Sequence, residues 1–287
     1  MQVSYTQRMK TVLTFLCLAL ATNVFSQAAE NLAQAWDAYN SDRFEQCLAT
    51  LEEVRGAESL FLQANCHQKL GDCYTALGLY DSAESSGCSH ENLHLNRGIC
   101  RLTLGMIEPA EQDLKRHLRS APQHERALYY LAQLEYMRFA GAASMNYLDR
   151  CLGVNPNNTD ALYLQGGNYV DQERYPLAAD AFREVLSIDP EHFMAQKALA
   201  QVLLYEGHAS EALALLEVLE SDDNDVQAEL YFYQAEAHYL LHRRDLACEF
   251  WDKSASMGDK DAARNHTTIC EKGKDKLRRK RLTRMEL

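Results

Sequence analysis

Two histidine pairs, His90 with His94 and His238 with His242, are the first places to look for chemistry. Each has i, i+4 spacing, which on a helix sets two imidazoles on one face, where a metal ion can bridge them. Neither pair has a carboxylate or cysteine in an obvious third position, so no metal site is expected. The run Ser221-Asp222-Asp223-Asn224-Asp225 is acidic, like a calcium loop. It lacks the glycine and distal glutamate of an EF-hand and reads as a solvated turn. No G-x-S-x-G, H-E-x-x-H, phosphate-cradling glycine loop or kinase set occurs. Neither catalysis nor a cofactor is expected. Asn157-Asn158-Thr159 and Asn265-His266-Thr267 are sequons, of consequence only in a host that glycosylates asparagine.

Cysteine offers a second kind of chemistry. Eight follow Gln27: Cys47, Cys66, Cys73, Cys88, Cys100, Cys151, Cys248 and Cys270. An even count in an exported chain suggests disulfides. Free cysteine is also a common small core residue, and no two have C-x-x-C spacing. Cys248 and Cys270 are the preferred pair, because they fall in consecutive helices near the C-terminal end.

The elements that must hold these residues follow a ruler. Pro122, Pro156 and Pro190 are 34 residues apart, and each closes a run that reads as two amphipathic helices. In steps of 34, one position reads Ala64, Gly98, Ala132, Gly166 and Ala200. Twelve residues on, it reads Ala76, Ala110, Ser144, Ala178 and Ala212. Four further on, it reads Tyr80, Leu114, Leu148, Phe182 and Leu216. A shift of one residue adds Ala235, Ala247 and Trp251. Closely crossing helices need small residues at the crossing and a large apolar side chain beside it. Gly71, Gly105 and Gly207 stand where a first helix should stop, and Pro109 and Pro176 where the next should start.

This pattern resembles the tetratricopeptide repeat (TPR), with small residues at positions 8 and 20, a large one at 24 and proline near 32. The likeness is strong from Ser59 to Gly258 and weaker in a front block containing Ala35, Cys47 and Leu51. Position 4 departs from the family's tryptophan: it reads Leu60, His94, Leu128, Leu162, Gln196 and Tyr231. The resemblance implies an all-α, right-handed α-solenoid of antiparallel helix pairs, with six clear repeats and a short one in front. Residues 27–260 are assigned to the solenoid, and 261–287 to a capping helix and a basic tail. In this register Cys66 and Cys100 share a first-helix position, and Cys47 and Cys151 take small buried sites.

In the family, the first helices line an inner groove. Carried over by position, the lining residues are Phe61, Asn65, Tyr129, Gln133, Tyr136, Tyr163, Lys197, Gln201, Tyr205, Phe232 and Tyr239, with Glu236 beside them. Aromatic rings with amides between them suit an extended peptide or a helix. Lys197 is followed by Gln201, and the next repeat offers Glu229 and Tyr233, so the family's clamp for acidic C-terminal tails is not assembled. The resemblance therefore implies a non-enzymatic scaffold that binds another protein. An envelope-assembly or carbohydrate-binding factor is the alternative use of the same rings.

The two ends add location. Arg8 and Lys10, the apolar run Val12 to Ala21 and a cleavage site at Val24-Phe25-Ser26 read as a signal peptide over residues 1–26. Its Phe-Ser-Gln ending resembles export signals of Bacteroidetes-type bacteria, and periplasm or cell envelope is the expected location. The net charge of −12 argues against nucleic acid as a partner. Residues 272–287 hold eight basic side chains against Asp275 and Glu286. They read as a solvated helical extension, or as a contact for anionic lipid headgroups or an acidic partner.

Overall fold

The structure, a computed structural model, describes residues 26–280. All of the signal-peptide reading but Ser26, and the last seven residues of the tail, lie outside that range. The chain divides after Pro122 into two compact units. Both are built of helices in consecutive pairs, with no strand among the described residues.

The first unit runs through α1 (26–40), α2 (Phe44–Leu51), α3 (Ala57–Lys69), α4 (Cys73–Ser85), α5 (Leu93–Thr103) and α6 (Ile107–Ser120). The second runs through α7 (Glu125–Met137), α8 (Gly141–Val154), α9 (Thr159–Asp171) and α10 (Tyr175–Ile188). It continues with α11 (Phe193–Glu206), α12 (Ala209–Leu216), α13 (Asn224–Leu240) and α14 (Arg244–Ser256). A short α15 (Lys260–Asn265) passes into a wider π-type turn, His266–Glu271. Pro122, Pro156 and Pro190 stand in the turns that follow α6, α8 and α10.

The turn inside each pair needs one left-handed residue. It is supplied by Asp42 in the first pair, by Gly71, Gly105, Phe139, Glu173 and Gly207 at steps of 34, and then by His242. Glycine occupies that region freely, whereas a bulky side chain there is strained. The next repeat opens with a cap: His124, Asn158 and His192, again 34 apart, accept hydrogen bonds from the amides of Ala127, Ala161 and Ala195.

The small positions are small because the partner helix lies against them. A Cβ on Gly166 would fall 2.3 Å from the Phe182 ring, and one on Gly98 would fall 3.0 Å from Leu114. These are the eighth and twenty-fourth positions of their repeats, so one helix enters the other at this crossing. From α9 onward unit 2 holds a continuous core, from Leu162 through Phe182, Leu203 and Trp251 to Ile269, with Leu277 packed against it. Unit 1 has two smaller clusters, one around Phe61 and Tyr80 and one around Ala35, Cys47 and Leu51.

Candidate functional site: the first-helix face and the tail that crosses it

The register places eleven residues on first helices, and packing divides them. In unit 1 Phe61 is fully buried; its ring stacks on His90 at 4.2 Å and lies 6.4 Å from Trp36. Asn65 is buried beside it and accepts hydrogen bonds from Tyr80 Oη at 2.7 Å and Asn96 Nδ2 at 2.9 Å. Neither is available as groove lining, because neighbouring side chains fold over both. In unit 2 Tyr136, Tyr163 and Phe232 are buried as well. Tyr163 sits between Phe182 and His192, each 5.6 Å away. Tyr136 lies at the base of a cleft of about 880 Å³ that Phe139, Asn168 and Arg174 also line.

Six residues keep part of their surface on the first helices of unit 2: Tyr129, Gln133, Lys197, Gln201, Tyr205 and Tyr239. Tyr129 meets Tyr130 edge to face at 5.2 Å, and burial pushes its hydroxyl above the ordinary value. Lys197 Nζ pairs with Glu229 Oε2 at 2.9 Å, and the Tyr233 hydroxyl donates to the other oxygen of Glu229 at 3.2 Å. The lysine charge is therefore answered from the next repeat, so no basic clamp forms there.

The tail supplies what the sequence did not reveal. From Gly273 to Lys280 it is neither helical nor simply solvated; it returns across α11, α13 and α15. Asn265 grips its main chain at one residue from both sides. Its Nδ2 donates to the Arg278 carbonyl at 2.8 Å, and its Oδ1 accepts from the Arg278 amide at 2.9 Å. The Tyr205 hydroxyl donates to the Lys280 carbonyl at 2.8 Å. Tyr239 donates to Asp275. The Arg279 Nε stands 2.9 Å from Glu236 Oε1, and Lys280 Nζ stands 2.6 Å from Asp259 Oδ2. Lys280 also lies over the Phe232 ring at 4.6 Å, and Arg279 over Tyr205 at 6.0 Å.

Glu236 is only 2% exposed, and its Oε1 accepts no hydrogen bond among the described residues. Burial raises its carboxyl to about 7, with the Arg279 charge pulling the other way. Cys248 and Cys270 are bonded, with Cα atoms 5.9 Å apart, which fixes the turn from which the tail departs. The other described cysteines are thiols; Cys47, Cys66, Cys73, Cys100 and Cys151 are buried.

The histidine pairs do not share helical faces. His90 precedes α5, which starts at Leu93, and His242 follows α13 in a left-handed turn. His238 stacks on Phe250 at 5.3 Å, and burial, with Arg243 nearby, lowers its pKa. Among the described residues no three His, Cys, Asp or Glu side chains are grouped for a metal. No described helix is long and apolar enough to cross a membrane.

Unit 1 contains a charged knot that the register had no place for. Arg97, 5% exposed, gives Asp113 two hydrogen bonds of 2.8 Å, and Arg101 gives it a third of 2.7 Å. The other side of Arg97 reaches Asp81 at 2.8 Å and Glu84 at 2.6 Å. Burial works against the charge on Glu84, but the hydrogen bond and charge of Arg97 win and lower its pKa.

Two family models described as tetratricopeptide repeat match the chain, at residues 138–193 and 169–232. No curated protein matches it in sequence. A tetratricopeptide repeat protein from Parabacteroides merdae is similar in structure, with TM-score 0.58, 20% identity, 82% of this chain and 94% of that one covered. PilF of Pseudomonas aeruginosa aligns with TM-score 0.63 at 12% identity, over 75% of this chain and 97% of its own. The C-terminal part of a TPR repeat-containing protein from Cytophaga hutchinsonii gives 0.63 at 12%, over 81% and 98%. The chain therefore contains tetratricopeptide repeats, matched by sequence over residues 138–232, and the helix pairs around them share the architecture of these structures.

Proposed function

We propose that this protein is a non-enzymatic scaffold that binds a segment of another protein along the first-helix face of unit 2. One observation carries the reading. An extended stretch of polypeptide already rests on that face, with its main chain held by Asn265 and Tyr205. Reading a backbone through side-chain amides and hydroxyls, and side chains through pockets of charge and ring, is how grooves take extended peptides. Half-buried Tyr129 and Gln133 continue the face on α7, and Gln201 on α11 one turn before Tyr205. Tyrosine suits that role, since it offers large contact area with little rotamer freedom to lose.

Photo-crosslinking side chains placed at positions 129, 133 and 201 test the reading in cells that make the protein. Attachment to one and the same protein from all three positions is expected. Absence of any specific adduct overturns it.

We also propose export to the cell envelope. The signal-like N-terminus motivates this, and the Cys248–Cys270 bond supports it, because disulfides persist in oxidising compartments. Envelope fractionation with N-terminal sequencing should find a mature chain starting at Gln27. Recovery of the whole chain with the cytoplasmic proteins would refute it.

A further inference from the structure

The geometry points to a receptor site for an extended, Arg/Lys-rich peptide at the α11–α13–α15 end of unit 2, kept closed by this chain's own tail until a partner's basic segment displaces it. The inference rests on the scaffold reading and adds to it the chemistry of the ligand and a gate.

The ligand class follows from what the site presents. Asn265 offers one acceptor and one donor to a single residue's amide and carbonyl, a pairing independent of that residue's side chain. Three acidic side chains then read three consecutive positions. Asp261 lies 3.3 Å from Arg278, Glu236 lies 2.9 Å from Arg279, and Asp259 lies 2.6 Å from Lys280. Rings take the cationic groups from the other side: Tyr205 beneath Arg279, and Phe232 with Tyr233 beneath Lys280. Cations over aromatic faces are attracted to them, more so when desolvated. An acidic or apolar peptide would bring no cation to Glu236 or to Asp259 Oδ2, and would leave Asp261 only Arg264. Glu236 Oε1, 2% exposed in its residue and without a hydrogen bond among the described residues, still has an acceptor to offer an incoming donor.

The gate follows from the tether. The tail leaves a turn pinned by the Cys248–Cys270 bond, and only residues 271–277 separate that bond from Arg278. A short flexible tether holds its end at an effective concentration of about 1 mM. A peptide that binds the emptied site with Kd near 10 μM would therefore have its apparent affinity lowered about 100-fold by the closed tail.

The test uses a fluorescent peptide of residues 273–287 and measures its anisotropy against two proteins: the full chain, and a chain ending at residue 272. Saturable binding to the shortened chain, at least tenfold weaker with the full chain, is expected. The same peptide carrying Glu in place of Arg279 and Lys280 should bind neither. No saturable binding to a shortened chain whose helical circular dichroism is intact overturns the receptor site. Equal affinity for both chains overturns the gate. If shortening unfolds the protein, the full chain with Arg279→Glu and Lys280→Glu decides: at least a tenfold gain in binding the native peptide is expected, and no gain overturns the inference. A dimer held by exchanged tails, seen by sedimentation, also overturns closure in cis. Crosslinks from positions 129 and 133, on α7, do not depend on the tail. Their survival with failed peptide binding leaves the scaffold standing and removes only this inference.

Discussion

Each unit buries a carboxylate beside a guanidinium, but the two pairs are assembled differently. In unit 1 Asp113 and Arg97 come from adjoining helices and meet through two hydrogen bonds of 2.8 Å, with Arg101 adding a third. In unit 2 Glu236 comes from a helix, but Arg279 arrives on a non-helical tail and forms an ion pair without a hydrogen bond to the oxygen it approaches. The first arrangement is part of the fold. The second leaves a buried acid dependent on a segment that can leave. A charge balanced by neighbouring helices rigidifies a repeat; a charge balanced by a tethered segment depends on that segment staying in place.

Removing one partner from each pair should separate the two cases most widely. Asp113→Ala removes the buried partner of Arg97, leaving it Asp81 and Glu84 on its other side, and should cost unit 1 about 3 kcal/mol. Hydrogen exchange of the α5 and α6 amides reads that loss without requiring the two units to unfold together. Arg279→Ala should cost unit 2 less than about 1 kcal/mol, because a carboxyl whose pKa stands at about 7 takes up a proton instead of remaining charged. Comparable losses from both changes would mean that the tail belongs to the fold, and the contrast would collapse.

The small positions give a second, smaller contrast. Gly166 faces the rigid ring of Phe182, with carbons at 2.3 to 2.8 Å from where a Cβ would stand. Gly98 faces Leu114 Cγ at 3.0 Å and Asp113 Cβ at 3.2 Å, contacts that a shift of a few tenths of an ångström relieves. Gly166→Ala should destabilise unit 2 by about 1–3 kcal/mol through overpacking. Gly98→Ala should stay within about 1 kcal/mol of neutral, since the helix gain of alanine over glycine offsets the milder crowding at 3.0 Å. Denaturant midpoints of the two variants check this; equal losses would show that ring and leucine yield alike.

How much of this was legible follows from what a fixed step can carry. Small and large residues recur because every repeat crosses its partner in the same way, so Gly166 and Phe182 could be paired before any coordinates. The left-handed turns at Phe139, Glu173 and His242 have no local signature; only the step from Gly71, Gly105 and Gly207 points to them. The i, i+4 spacing of the histidines was misleading because spacing does not say where a helix begins, and α5 begins after His90. Register told which way Phe61 leaves its helix but not that His90 and Trp36 close over its ring. The tail was hidden for a different reason. Its contact with Tyr205 spans 75 residues, and only its basic sign against an acidic body hinted at where it would rest.

Titration offers the finest test of the contrast. The Glu236 carboxyl stands at about 7 in the folded chain against an ordinary 4.5, chiefly because it is buried. Between those values the folded chain binds more protons than the unfolded one, so each step up in pH favours unfolding. The stability this group contributes is fully present below about 4.5 and is lost as pH rises to about 7. Tyr233, one turn earlier, is held above its ordinary value by burial and stays neutral throughout. His238, on the same helix, works in the opposite sense: its pKa is lowered, so its contribution is lost as pH falls below 6.5. Comparison with Glu236→Gln isolates the glutamate, because the other groups are shared. The stability of Glu236→Gln relative to the parent should rise between pH 5 and pH 7 and level off above that, measured by urea unfolding at each pH. A difference that does not change with pH would mean that Arg279 neutralises Glu236 as completely as Arg97 neutralises Asp113, and that the tail is as much a part of unit 2 as the knot is of unit 1.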